Sequence, residues 1–360
     1  MKILNKKNMM DALCALMFAY ALLRYASDVA EGVRIGLQNC AGLLIPSLFP
    51  FMILAAVIGA TRAGQGLSYG ISCLLYPLTG LPKQISAAFL MSFLGGFPVG
   101  AQMLSRQLEN GEIDEQTASR GLCCCVNAGP SFLIGTIGAM LNPTAGILLL
   151  AAQVLSSLCI AAIQFRGYKN ASTLPVFQPK QNVLVESVRG AASGMFGICA
   201  FVTAFSALSA LLRASGIFFL ICSILGRFFP NLGEPFFTAA ASGILEVTNG
   251  CIAAASLPQG FLLIAFLVSF SSLSIIFQVK SCFPYPIPFS RFYLSRLLHG
   301  LFTTSFAFLG QRIFPQALEV SAVWGKPVLS AQPNTVISTA CLIAMCTILF
   351  FTPSKSGSHL

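Results

Sequence analysis

Long apolar runs recur along this chain, from residue 9 to residue 353. Runs such as 144–165 are as long as the roughly 20 apolar residues that a helix needs to cross a bilayer. Of the 360 residues, 56% are hydrophobic and 9% are charged, whereas a soluble domain carries about 25% charged residues. The pattern predicts an all-α, polytopic membrane protein with roughly eight to ten transmembrane helices.

The net charge of +10 indicates topology rather than a nucleic-acid partner, because Lys and Arg lie mostly at the ends of apolar runs. Cytoplasmic loops collect such residues. We therefore expect a cytoplasmic N-terminus, a cytoplasmic loop over 166–182, which contains no acid, and the lipid bilayer as surroundings. The segment Arg291–Arg296 reads as a basic interfacial stretch.

The loop over 166–182 separates two halves of the chain, whose apolar segments are interrupted in the same order. Gly32 and Gly36 open the first half with the spacing of Gly190 and Gly194 in the second. Residues 95–100 correspond to 245–250, with Gly100 on Gly250, and residues 127–131 correspond to 270–274. Paired interrupted hydrophobic segments point to a transporter's binding site. The alternative is a chance match between Gly-rich helices.

This organisation predicts five parts. They are an N-terminal transmembrane helix (1–26), a first repeat (27–165), a cytoplasmic linker (166–182), a second repeat (183–315), and a C-terminal loop with a transmembrane helix (316–360). An apolar run at 37–60 is interrupted by Pro46 and Pro50.

The segment Gly-Gly-Phe-Pro-Val-Gly at 95–100 is unsuited to a helix interior. Pro98 lacks an N–H and clashes with the preceding turn, and glycines loosen the backbone. Freed backbone groups in a membrane must face protein, water or ligand. We expect a loop that lines a cavity, and a helix that starts near Val99 with an N-terminus suited to an anion. The alternative, here and at Asn127–Ser131, is an ordinary kink.

Glu246 lies near the middle of the apolar segment 236–257 and is followed by Thr248 and Asn249. A charge there costs at least about 2.5 kcal/mol on insertion scales. A buried carboxylate protonates, pairs with a cation or binds a ligand, as ion-coupled or proton-coupled transport requires. The alternative is a structural Glu paired with Arg189 or Arg213.

Catalytic motifs are missing from the sequence, which has no Gly-x-Ser-x-Gly, no phosphate-binding Walker loop and no His-Glu-x-x-His. The 13 cysteines and two histidines show no zinc-type spacing. We therefore expect no enzymatic activity, no cofactor and no metal centre, and we do not expect an ATP-driven pump.

Four motifs resemble the sporulation integral membrane protein family, whose members carry nucleoside-recognition, or Gate, domains. They are Phe93–Ala101, Asn127–Gly135, Gly243–Gly250 and Ser269–Gln278. The resemblance covers about residues 27–315. That family is similar in architecture to concentrative nucleoside transporters. The resemblance implies two inverted repeats of Gate type, each with a re-entrant hairpin and a broken helix.

The resemblance also implies a substrate site. It maps to Gly96, Phe97, Pro98 and Gly100 in the first hairpin, Asn127, Gly129 and Ser131 in the first broken helix, Glu246, Thr248 and Asn249 in the second hairpin, and Ser274 and Gln278 in the second broken helix. Two departures from the family pattern stand out: Phe97 replaces a Tyr, and Ser271-Ser272 replaces Gly-Gly.

By resemblance, the expected function is secondary transport of dipicolinic acid during endospore formation, in the cell membrane or the outer forespore membrane. The dianion would be repelled by Glu246 unless that residue is protonated or paired, so H⁺ or Na⁺ coupling is expected there. Two alternatives remain open: transport of a nucleoside or nucleobase, and a non-transporting scaffold for spore-envelope assembly. A homo-oligomer is also left open.

Overall fold

The computed structural model describes residues 6–168, 182–284 and 286–315. Within these ranges the regular structure is helical, which confirms the predicted all-α class for the described part of the chain. The predicted C-terminal span at 335–353 and most of the 166–182 linker lie outside the described residues.

The first half contains nine α-helices and two π-helical segments, all in described residues. The α-helices are α1 (Lys6–Arg24), α2 (Ala26–Asn39), α3 (Ile45–Gly59), α4 (Arg62–Thr79), α5 (Lys83–Gly95), α6 (Phe97–Glu109), α7 (Glu115–Leu122), α8 (Gly138–Met140) and α9 (Pro143–Phe165). The π-helical segments are Cys40–Leu44, between α2 and α3, and Ser131–Ile137, before α8.

The described second half follows a similar order. Its helices are α10 (Val183–Ala214), α11 (Ile217–Phe228), α12 (Gly233–Leu245), α13 (Val247–Ala255), α14 (Gly260–Phe270), α15 (Leu273–Ser281) and α16 (Ser290–Ile313).

Four helical stretches of the described chain are long and apolar enough to cross a membrane. They are Ala26–Gly59, Pro143–Phe165, Val183–Ala214 and Gly260–Ser281. Two or more such stretches in one chain make a polytopic arrangement. The larger count of roughly eight to ten spans stays a prediction.

The helix Ala26–Gly59 is continuous, so the predicted interruption at Pro46 and Pro50 is wrong. Pro46 lies in the first turn of α3, directly after the π-helical segment, where a missing N–H costs little. Pro50 lies inside α3. Membrane helices tolerate such prolines because hydroxyls and neighbouring helices satisfy freed carbonyls.

Each half contains a helical hairpin broken by a single residue. Gly96 separates α5 from α6 with a φ of +82°, which a residue with a side chain rarely adopts. The second helix begins at Phe97 rather than near Val99, because Pro98 fits the first turn of a helix. Glu246 separates α12 from α13 in extended backbone.

Long helices pair in antiparallel directions across the two halves. Helix α2 lies closely against α10: a Cβ on Gly32 would lie 2.6 Å from Ala210 Cβ, while farther along, Gly194 faces Met52 of α3. Helices α9 and α16 pair likewise, since Ser156 contacts His299 and Leu148 contacts Gly310. These pairs form the frame around the hairpins.

Candidate functional site

A small cavity lies where the two hairpin tips meet the broken helices, between α3 and α10. Its volume is about 30 Å³, close to the share of one water molecule in the liquid. Segments far apart in sequence therefore converge on one point. The lining residues are Leu44, Leu48, Phe97, Pro98, Gly129, Phe132, Ile198, Val202, Glu246, Val247, Thr248, Ile275 and Gln278.

Glu246 is the ionisable residue of this lining and is only 1% exposed. Its Oε1 accepts from the Thr248 N–H at 3.0 Å, and its Oε2 accepts from the Asn249 N–H at 2.8 Å. The carboxylate thus caps α13 and satisfies donors that no helical carbonyl can reach. The partial positive charge of the helix N-terminus offsets the carboxylate charge.

Glu246 does not pair with the arginines that the sequence offered as alternatives. Arg189 pairs with Glu186 at 3.5 Å, and Arg213 donates to the Ser242 hydroxyl. In residues 6–168, 182–284 and 286–315, no basic side chain forms an ion pair with Glu246. The charge of the Glu246 carboxylate is instead compensated by the backbone N–H groups of Thr248 and Asn249.

The opposite lip of the cavity is the first turn of α6, where Phe97 and Pro98 border the space. This helix has no side-chain cap at its N-terminus. Because Pro98 has no N–H and the Val99 N–H donates to the Gly96 carbonyl at 3.2 Å, the positive charge at this end comes mainly from the helix dipole. One lip carries a carboxylate that caps α13, while the other carries the N-terminus of α6, which has no side-chain cap.

Gln278 adds a polar amide to the wall, and its Nε2 donates to Ser274 Oγ at 3.2 Å. Ser274 lies behind it, one helical turn earlier in α15. Most of the remaining wall is aliphatic or aromatic. The site therefore combines an apolar slot with a few polar groups, as small-molecule sites commonly do.

Asn249 faces away from the cavity and ties α13 to the frame. Its Oδ1 accepts from Asn39 Nδ2 at 2.8 Å, and its Nδ2 donates to Ser206 Oγ at 2.8 Å. Asn39 is the last residue of α2 before the π-helical segment. These two hydrogen bonds hold the second hairpin against α2 and α10.

Asn127 holds the first break from within the core and is fully buried. Its Nδ2 donates to Ser92 Oγ and to the Cys124 carbonyl, both at 2.8 Å. Its Oδ1 accepts from Ser157 Oγ at 2.6 Å, and that hydroxyl also lies 3.1 Å from His299 Nε2. The amide is fully engaged by protein.

Arg296 is a buried structural residue beside the first break that the sequence reasoning missed. The predicted basic interfacial stretch is wrong at this position, because Arg296 is 0% exposed. Its Nη1 donates to the Val126 carbonyl at 2.8 Å, and its Nη2 donates to the Cys123 carbonyl. The guanidinium caps the C-terminal end of α7, where helix carbonyls carry partial negative charge. The sequence signal was Arg and His three residues apart in an apolar helix.

Over 316 residues the chain is 24% identical to the Sporulation integral membrane protein YlbJ of Bacillus subtilis (strain 168), covering 78% of this chain and 76% of that protein. The chain is a homologue of YlbJ. No protein-family model and no solved structure matches it.

The match to YlbJ confirms, at the level of the family, the resemblance that the four motifs indicated. It spans the larger part of both chains, so it does not rest on one motif. Together with the apolar helices, it identifies an integral, multi-pass membrane protein.

Of the two positions that depart from the pattern expected by resemblance, Phe97 borders the cavity with an apolar ring, whereas Ser271-Ser272 is not part of its lining. Ser271, at the second break, adopts a φ of +60°, a conformation that favours glycine. Its buried hydroxyl has no hydrogen-bond partner among the described residues. Ser271 therefore stands at a position where glycine would be the residue with least strain.

The twelve predicted site residues fall into two groups. Six border the cavity: Phe97, Pro98, Gly129, Glu246, Thr248 and Gln278. Six are not part of its lining: Gly96, Gly100, Asn127, Ser131, Asn249 and Ser274. Gly100 packs on the Cys125 carbonyl, and Ser131 is 8% exposed with an unpartnered hydroxyl among the described residues. Contact of any of them with a substrate stays a prediction.

Proposed function

We propose that this protein is a secondary transporter of a small polar metabolite, which binds between the α5–α6 tip and the α12–α13 tip. The observation that carries the proposal is the meeting of two broken hairpins at a cavity with a buried carboxylate. Interrupted helices in mid-membrane are the usual construction of transporter sites. A scaffold would have no need for such an arrangement.

Antiparallel pairing supports an inverted-repeat architecture. Helix α10 opposes α2–α3, and α16 opposes α9. The two helices of each pair occupy the same position in the helix order of their respective halves. Repeats of opposite orientation would produce this relation, and they would bring the hairpins to the site from opposite faces.

The charges at the cavity support a substrate that carries a carboxylate. The uncapped N-terminus of α6 suits an anionic group. Glu246 opposes an anion less than a free carboxylate would, because α13 binds both of its oxygens. The apolar walls at Phe97 and Phe132 suit a planar ring once the tips have separated.

Dipicolinate, a planar aromatic dianion, fits this description, and the YlbJ homologue is named for sporulation. We therefore assign dipicolinate transport in spore formation as the leading function, with H⁺ or Na⁺ coupling at Glu246. The about 30 Å³ cavity is too small for an aromatic ring, so the tips must separate to admit it. Such a gated change is the basis of alternating access.

A second candidate is a nucleoside or nucleobase. Glu246 and Gln278 both border the cavity and could accept and donate hydrogen bonds to a base. A neutral substrate would also avoid repulsion by the carboxylate. Competition between the two ligand classes separates these candidates.

The test is uptake of labelled dipicolinate by proteoliposomes that contain the purified protein. We expect Glu246→Gln to lower uptake by roughly tenfold or more and to abolish its dependence on pH or sodium, since the neutral amide cannot exchange a proton and attracts a cation less than a carboxylate does. Glu234→Gln, at an exposed position in the first turn of α12, is the matched control and should retain uptake.

Two outcomes would contradict the proposal. Unchanged uptake with unchanged pH and sodium dependence in Glu246→Gln would remove Glu246 from the coupling role. Uptake of uridine or adenosine, with no uptake of dipicolinate, would replace the leading substrate with the second candidate.

A further inference from the structure

An exposed cluster of cations and aromatic rings lies at the junction of α15 and α16. It consists of Phe277, Lys280, Phe289 and Tyr293, together with Arg291, which is exposed in the first turn of α16 two residues from Phe289, and is called the basic-aromatic patch below. Lys280 Nζ lies 5.8 Å, 5.6 Å and 5.7 Å from the ring centroids of Phe277, Phe289 and Tyr293, respectively. Three rings therefore surround one ammonium group.

The cations of the patch lack acidic partners. In the described chain, the ion pairs are Glu31–Arg34 and Glu186–Arg189. Neither Lys280 nor Arg291 has a described carboxylate within 4.0 Å, and both side chains are exposed. The charge of the patch is thus available to an external anion.

The patch also lies at a membrane boundary. The candidate span Gly260–Ser281 ends one residue after Lys280. Directly beyond the patch, α16 exposes Leu294, Leu297 and Leu301, which suit contact with acyl chains. Aromatic and basic residues collect at this depth of a bilayer.

The patch lies on the face that the sequence predicts to be cytoplasmic. The Ser119 hydroxyl of α7 donates to the Pro288 carbonyl at 2.6 Å, and Arg120 donates to the Gln164 carbonyl at the end of α9. The linker predicted to be cytoplasmic starts at residue 166, directly after α9. The cytoplasmic leaflet carries anionic lipid.

We propose that the basic-aromatic patch binds the phosphate headgroup of an anionic phospholipid, with an acyl chain along the exposed leucines of α16. Arg291 supplies a fork of N–H donors that matches phosphate oxygens. Lys280 supplies a point charge, and its neighbouring rings keep it at the headgroup level. The inference does not depend on which solute is transported.

Bound lipid at this position would join two helices that build the site. Helix α15 carries Gln278 of the cavity wall, and α16 carries Arg296, which caps α7. Lipid bound at the α15–α16 junction would therefore stabilise both the cavity wall at Gln278 and the end of α7 that Arg296 caps.

The test is native mass spectrometry of the purified full-length protein with added phosphatidylglycerol or phosphatidylcholine. We expect the double variant Lys280→Ala/Arg291→Ala to bind phosphatidylglycerol roughly tenfold more weakly, given the attraction of each basic residue to an anionic surface. The matched control, Arg227→Ala/Arg312→Ala, removes two exposed cations elsewhere, at the ends of α11 and α16. It should keep wild-type binding.

A second variant guards against misfolding. Lys280→Arg/Arg291→Lys conserves the charge and should keep phosphatidylglycerol binding, and wild-type binding should weaken as salt rises. The proposal is overturned if the alanine double variant binds phosphatidylglycerol as tightly as the wild type, if the control loses as much affinity, or if phosphatidylcholine binds equally well.

Discussion

Glu246 combines a structural role with a position at the cavity. Its two oxygens accept hydrogen bonds from backbone N–H groups of α13, so its side chain caps the first turn of that helix at the second break. It also borders the cavity. A proton or ion that reaches this carboxylate would therefore alter the cap of α13, which links the chemistry of the residue to the position of the tip.

Arg296 has a role at the other break, and its replacement tests that role. Arg296→Met keeps the apolar stem but leaves the Cys123 and Val126 carbonyls without their donors. We expect a loss of about 2–4 kcal/mol in the free energy of unfolding, because each buried unsatisfied carbonyl costs about 1–3 kcal/mol. The midpoint of thermal unfolding in detergent measures it.

The control for this substitution is Arg312→Met in the last turn of the same helix, where the side chain is exposed. It should change the midpoint little. Equal midpoints for the two variants would show that the Arg296 hydrogen bonds do not stabilise the break.

At the scale of elements, the two hairpins share a register but not a chemistry. Helices α5 and α12 each contain 13 residues and end directly before the break. Gly96 breaks the first hairpin by its backbone freedom, while Glu246 breaks the second by capping the next helix. The alignment of Gly100 with Gly250 agrees with these positions, and both glycines lie in close backbone contacts.

Gly100→Ala tests the close packing of α6. An added Cβ would lie 1.9 Å from the Cys125 carbonyl oxygen, so the backbone of the first break must shift. We expect destabilisation of about 1–3 kcal/mol, as for overpacked cores. Thermal unfolding measures it, with a loss of uptake as the functional readout.

Gly197→Ala in α10 is the matched control, because nothing lies within 4 Å of its added Cβ. It should be neutral or stabilising by up to about 1 kcal/mol, since Ala favours helix more than Gly. If Gly100→Ala is as stable as this control, the hairpin does not require the close contact.

The elements that the sequence did not predict are the two π-helical segments, Cys40–Leu44 and Ser131–Ile137. Each adjoins the cavity, through Leu44 and Phe132. Composition alone does not distinguish a π-helical turn from an α-helical one. The choice depends on which packing places the neighbouring side chains best, a tertiary effect.

At the scale of the whole molecule, α10 separates two faces. Its 32 residues span about 48 Å, more than the about 30 Å of a bilayer core. Arg106, near the end of α6, lies beside Gly190 at the start of α10. The α6–α7 loop and the end of α10 should therefore lie on opposite faces of the membrane.

Epitope tags inserted after Gly111 and after Gly216 test this topology. Both are turn glycines with positive φ and open surroundings. In cells, we expect the tag at Gly216 to be accessible from outside and the tag at Gly111 only after permeabilisation, because the basic linker indicates the cytoplasmic face. Accessibility of both tags from one side would contradict the arrangement.

By itself, the sequence determined the membrane class, the helical structure and the breaks at the two hairpin tips, although not the continuity of the helix through Pro46 and Pro50. These follow from local chemistry: apolar length, the missing N–H of Pro98 and the freedom of Gly96 act within a few residues. The family also followed from the order of such motifs.

Only the tertiary structure decided which polar groups remain at the cavity. Asn127 and Asn249 are engaged by other helices, while Glu246 and Gln278 border the space. Arg296 meets a carbonyl 170 residues away in sequence. The reason is physical: within a membrane the backbone polar groups need partners, and the packing of distant helices decides which side chains supply them.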